Sequence, residues 1–192
     1  KGTIVAIVAG TKSETVINHL QRISSYKRNQ VIEITLDMAN SMKLIARKVF
    51  PKAKQVTDRF HVQKLALEAV QEIRIKLKWE ALDRENEAIT QAKLNKTKFI
   101  TTDFSNGDTA KQLLTRSRFL LYKSQYKWSE NQKERAVILF KEYPELKEAY
   151  LLSQQLRNIY NNNTDKAIAI TKLAHWYNNV ENLGIKSFNT IM

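Results

Sequence analysis

The chain has no cysteine, and only 4 glycines and 2 prolines among its 192 residues. Without cysteine there can be neither a disulfide framework nor a thiolate metal site, and a reducing compartment is the natural expectation. So few glycines leave no glycine-rich phosphate loop, which excludes the nucleotide-binding motifs built on one. No apolar run is long enough to span a bilayer and no signal peptide is recognisable, so a soluble, cytoplasmic protein with no membrane partner is expected. Acidic residues are also scarce: 19 Asp and Glu stand against 32 Lys and Arg, a formal charge of +13. An excess of that size points to a polyanionic partner, usually nucleic acid, or to a generally basic protein.

Hydrophobic residues make up 43% of the chain and aromatics 9%, enough to bury a real core. The first 60 residues read as alternating strands and helices. Thr3 to Gly10 (TIVAIVAG) is an apolar, β-branched run closed by glycine and predicts a buried strand. Val16, Ile17, Leu20 and Ile23 repeat at helical spacing after a cap at Thr11 or Ser13. SSYKRNQ reads as a loop. VIEITL predicts a second strand with Ile32, Ile34 and Leu36 on one face, and a helix from about Asn40 ends before Pro51. QVT makes a further short strand. This alternation implies an α/β fold with parallel crossovers.

After His61 no convincing strand remains. Leu65, Ala69, Ile73 and Leu77 share a face of a long helix reaching the nineties, and FSNGDT is an Asn-Gly turn. Helices then follow near 111–122, 131–143, 144–160 and 165–182, with Ser129 and Gln132 as a capping box and Pro144 at a first helical position. The asparagines at 161–163 read as a loop. An α/β start is thus followed by an all-helical stretch.

Asp37 ends VIEITLD and Asp58 ends KQVTD. Functional groups in open α/β sheets gather at the carboxyl ends of strands. A carboxylate there is rigidly aimed and suits Mg²⁺, although Asp37 could equally cap the helix that follows. Asp58 reads as a cap of the long helix with His61 in its first turn, where the histidine could orient a carboxylate, contact phosphate or simply pack. His19 and His175 lie alone in helical patterns and read as structural. Basic residues recur through the helical part: Arg74, Lys76 and Lys78; Arg116, Arg118 and Lys123; Lys127, Lys133 and Arg135. Trp79, Tyr122, Tyr126 and Trp128 are interleaved with them. Cations neutralise phosphates and aromatics stack on unpaired bases, but each such ring could as well face the core.

Three stretches, TLDMANSMKLIARKVFPKAKQVTDRFHVQK, SNGDTAKQLLTRSRFLLYKS and WYNNVENLGIKSFNTI, resemble bacterial insertion-sequence DDE transposases of the ISL-type branch. The first stretch is the most specific, and the resemblance covers nearly the whole chain. It implies a ribonuclease H-like mixed sheet, present in part over 1–62, a large helical insertion over 63–178, and a return toward the core over 179–192. It implies two-metal cleavage and strand transfer at element ends, with two Mg²⁺ or Mn²⁺ ions held by two Asp and one Glu.

On that pattern Asp37 matches the second Asp, a catalytic metal ligand. Asp58 and His61 match a supporting Asp/Cys-x-x-His element. Arg59, Lys64, Arg74, Lys78, Arg116, Arg118, Lys123 and Lys127 become the expected contacts to double-stranded DNA. A homodimer would suit synapsis of two DNA ends, with nucleoid association in the bound state. The pattern places the first Asp before Lys1 and the Glu after Met192, since the context of Glu181 does not match. A fragment lacking two of the three carboxylates, and so inactive alone, is therefore expected. The competing reading is a non-enzymatic basic nucleic-acid-binding or scaffolding protein, which explains the charge but not the carboxylates at strand ends.

Overall fold

A computed structural model describes residues 4, 6–162 and 165–189. The chain divides into two compact units, Lys1–Val62 and Gln63–Met192.

The first unit is a small α/β element. Helix α1 covers Ser13–Leu20 and a single turn, α2, covers Ser25–Arg28. Strand β1 (Glu33–Leu36), helix α3 (Asn40–Val49) and strand β2 (Lys54–Thr57) then form a β-α-β unit whose two strands pair in parallel. Ile45, Ala46 and Val49 recur at helical spacing and are the buried face of α3, which packs with α1 and β1. Pro51 cannot continue the helix, and α3 ends two residues before it.

Two expectations are corrected here. Of the expected strand at 3–10, Thr3 and Val5 lie outside the described residues. The described Ile4, Ala6, Ile7 and Val8 form no strand, and Ile4 and Ile7 are 77% and 87% exposed. A β-branched run becomes a strand only where a neighbour completes its ladder, and among the described residues the sheet has two strands, both parallel. SSYKRNQ is not a plain loop, because Ser25–Arg28 closes a helical turn.

The second unit is helical. Helix α4 runs unbroken over Arg59–Leu94, 36 residues, and buries Ala66, Ala69, Val70 and Ile73 on one stripe. The turn at Gly107 (φ +75°) reverses the chain, bridging Asp103 to Thr109. A single helix was expected over 111–122, but Ala110–Arg116 (α5) and Arg118–Tyr122 (α6) are separate. The break falls at buried Ser117, whose hydroxyl and N–H both donate to the Leu113 carbonyl. Helices α7 (Glu130–Glu142), α8 (Pro144–Asn162) and α9 (Lys166–Leu183) complete the unit. The Ser129–Gln132 capping box forms, and Asp165 caps α9. Asn161 and Asn162 extend α8, while Asn163 lies outside the described residues.

The core joins Leu113, Leu120, Leu139, Leu146 and Leu156 to buried Tyr150. Trp128, Phe140 and Tyr150 stack within 5.3–6.2 Å of one another. Tyr150 donates its hydroxyl to the Lys123 carbonyl, and burial pushes its pKa up. No helix among the described residues is long and apolar enough to cross a membrane.

Candidate active site

Asp37 and Asp58 occupy equivalent places in the β-α-β unit. The parallel register pairs Leu36 with Thr57, so each aspartate is the first residue beyond its strand. The Asp58 N–H donates to the Leu36 carbonyl at 2.7 Å, carrying the ladder up to the two carboxylates. Neighbouring strands are spaced by about 4.8 Å. The two acidic residues thus stand side by side at the carboxyl edge of the sheet.

Each then makes the same local turn. Asp37 Oδ1 accepts from the Ala39 N–H at 2.9 Å, and Asp58 Oδ1 accepts from the Phe60 N–H at 2.9 Å. These Asx turns steer the chain from strand into helix. The capping position of α3 itself is Ala39, so Asp37 aims the chain but does not cap the helix. His61 lies in the first turn of α4 with Nε2 3.9 Å from Asp58 Oδ2, and both side chains are about 40% exposed. A half-exposed pair at that distance contributes little to stability.

The donor set is of the right class for a hard divalent ion. Mg²⁺ commonly binds through one or two carboxylates with the rest supplied by water and substrate phosphate. Among the described residues, however, no group of three or more His, Asp or Glu gathers into a metal-binding cluster. Asp37 and Asp58 therefore fit as part of a site, and a pair of ions needs more donors than these residues bring together.

The expected DNA contacts separate into three groups. Arg118, Lys123 and Lys127 are exposed, as are Arg59 and Lys64 in the first turns of α4. Lys64 lies 3.7 Å from Glu68 and Lys123 donates to Gln132 at 3.3 Å, whereas Lys78 is half-buried beside Trp79. Arg116 is exposed but held by Asp108, as is Arg135 at 3.0 Å.

Arg74 corrects the expectation. It is buried, donating to Gln71 Oε1 at 2.7 Å and to the Leu114 carbonyl at 3.0 Å. Burial first, and the nearby Arg118 charge second, hold its pKa below the usual guanidinium value. Arg74 ties α4 to α5 and presents no surface to a phosphate. The Arg74→Ala variant is expected to lower the unfolding free energy by roughly 2 kcal/mol, from the lost bonds and the orphaned carbonyl, while leaving the salt slope of DNA binding unchanged. The double variant Lys123→Ala/Lys127→Ala is expected to do the reverse, reducing that slope by about one per residue. Urea melts and anisotropy titrations across salt separate the two.

Sequence reasoning passed over Asp108, the one fully buried carboxylate among the described residues, which sits between Arg116 and Arg135. Its position after an Asn-Gly turn was the available signal, but its cationic partners lie 8 and 27 residues away. His19 and His175 are exposed and belong to no such cluster.

The family model DDE_Tnp_ISL3, described as transposase, matches residues 1–192. The chain belongs to this transposase family, whose members bind and cleave DNA and generally use divalent metals. Among curated proteins and solved structures, nothing matches the chain.

Proposed function

We propose that this chain is the segment of a DDE transposase catalytic domain that carries Asp37 as a metal-binding carboxylate. The observation that carries the reading is the side-by-side placement of Asp37 and Asp58 at the ends of two register-matched parallel strands. In the complete protein the β-α-β unit extends into a ribonuclease H-like mixed sheet, and the remaining Asp and the Glu come from outside this chain. Asp37, with the remaining carboxylates, would hold divalent ions, which would supply activation of a water or 3′-hydroxyl and stabilisation of the leaving oxygen of the phosphodiester.

The chain's own residues do the rest. Asp37 presents a carboxylate held in direction by its turn to Ala39. Asp58 fixes the neighbouring strand end and faces His61, which supports that edge and meets a scissile-strand phosphate. Arg59 opens α4 directly after Asp58, and Lys64 lies about one turn beyond His61. The exposed cations of the helical unit follow the DNA backbone, giving affinity without sequence reading.

The test is strand cleavage of labelled element-end DNA in Mn²⁺ by the full-length transposase, wild type against Asp37→Ala. The reading expects the variant to bind DNA and not to cut, whereas normal cutting by Asp37→Ala contradicts it. The 192-residue chain alone is expected to bind without nicking. Mg²⁺-dependent nicking by that chain, abolished by Asp37→Ala, would show that it needs no further carboxylates.

A further inference from the structure

The segment from Tyr122 to Trp128 has an unusual division of labour. Backbone and side-chain bonds tie it down from several sides, while the Tyr126 ring is left largely in solvent. Arg157 donates to the Tyr122 carbonyl at 3.1 Å and to the Ser124 hydroxyl at 3.0 Å. Tyr150 donates to the Lys123 carbonyl, and Ser124 donates to Gln154 Oε1 at 3.0 Å. The Trp128 indole N–H donates to the Leu120 carbonyl at 2.8 Å. Between these anchors the single 3₁₀ turn Gln125–Lys127 holds Tyr126 at 81% exposure.

Single exposed aromatics are common and need no explanation by themselves. Here the surroundings supply a second observation, because Tyr126 forms a wall of two surface cavities. One, of about 480 Å³, is apolar and walled by Trp128, Val137 and Phe140 as well. The other, of about 290 Å³, is lined by amides, including exposed Gln155 and Asn158, one turn apart on α8. The local charge is strongly positive: residues 116–141 hold seven Lys and Arg against two Glu. Lys127 Nζ lies 5.6 Å from the centre of the Tyr126 ring, and Lys133 borders the apolar cavity.

An aromatic face, adjacent amide donors and acceptors, and cations at the rim are the parts that bind a nucleobase with its phosphates. A paired base offers neither its face nor its Watson–Crick edge to a protein, so the occupant has to be unpaired. We propose that Tyr126 is a stacking platform for one unpaired base of a DNA strand. Gln155 and Asn158 meet the edge of that base, and Lys127 and Lys133 hold the flanking phosphates. This inference rests on the DNA-acting reading above and adds to it a preference for unpaired nucleotides, separate from the contacts to the duplex backbone.

The test uses the 192-residue chain and two labelled DNAs, a blunt duplex and the same duplex with a short single-stranded overhang carrying 2-aminopurine. Wild type is expected to bind the overhang DNA more tightly and to change the 2-aminopurine emission. Loss of the stacking ring in Tyr126→Ala is expected to weaken overhang binding roughly tenfold and to remove the emission change. Affinity for the blunt duplex should stay the same. Tyr126→Phe keeps the ring and is expected to restore both signals, and Tyr177→Ala, at an exposed ring on α9, to change neither. Equal loss on both DNAs, or no loss on the overhang, overturns the platform while leaving DNA binding intact. Failure of wild type to bind either DNA removes the DNA-acting reading itself.

Discussion

Asp37→Asn is expected to reduce strand cleavage by the full-length transposase by a factor on the order of a thousand, with DNA affinity and fold preserved. The substitution keeps some atoms of the side chain and changes others. Asn retains an Oδ1 that accepts from the Ala39 N–H, the bond by which Asp37 directs the chain into α3. The strand, the turn and the helix should therefore survive. What disappears is the negative charge and its affinity for a hard cation. Metal-assisted stabilisation of a phosphoryl transition state is worth several kcal/mol, and each 1.36 kcal/mol is a factor of ten in rate. If Asp37 served only its turn, Asn would be nearly silent and Ala the damaging change. If Asp37 serves the metal, Asn and Ala should be equally inactive, and comparing the two by cleavage assay and by circular dichroism decides between these roles. Asp58→Asn, one strand over, is expected to lose less, about 10- to 100-fold, as befits a supporting carboxylate.

Asp108→Ala is expected to lower the unfolding free energy by about 3 kcal/mol. The carboxylate is 1% exposed and bonded to both Arg116 and Arg135, with the Asn106 side chain donating to it as well. Removing one partner of a buried pair typically costs about 3–5 kcal/mol. The lower end applies because Arg116 is half exposed and can return to water. Burial pushes the Asp108 carboxyl up, but the bonds and charges of Arg135 and Arg116 outweigh it, leaving the pKa below the ordinary carboxylate value. A depressed folded pKa means that this contribution is fully present above the unfolded value of about 3.9 and is lost as pH falls through the folded value. Urea melts of wild type and Asp108→Asn should accordingly differ by a constant amount near neutrality and converge below about pH 4.

Much of this fold was legible because its punctuation is local. Pro51 stops α3, Pro144 opens α8, and Ser129 with Gln132 boxes the start of α7. Each rests on residues within one turn of one another, which a linear reading can see. The misreadings are those where a distant partner decides. The TIVAIVAG run has the composition of a strand, yet its described residues have no ladder to join. Arg74 looks like a surface cation until α5 brings the Leu114 carbonyl to it from 40 residues away. The break between α5 and α6 falls at Ser117, with no Pro or Gly to announce it.

At the candidate site the aspartates themselves were legible as carboxylates at strand ends. Their equivalence was not, because it comes from the register that sets Leu36 opposite Thr57.

Amide NMR of the 192-residue chain titrated with Mn²⁺ asks whether the Asp37 carboxylate holds a metal ion. Paramagnetic broadening falls off steeply with distance and reports even weak binding. Localised broadening of residues 36–39 and 57–61 is expected, abolished by Asp37→Asn and competed away by excess Mg²⁺. Broadening that stays in place in Asp37→Asn, or that falls elsewhere in the chain, would contradict Asp37 as a metal ligand.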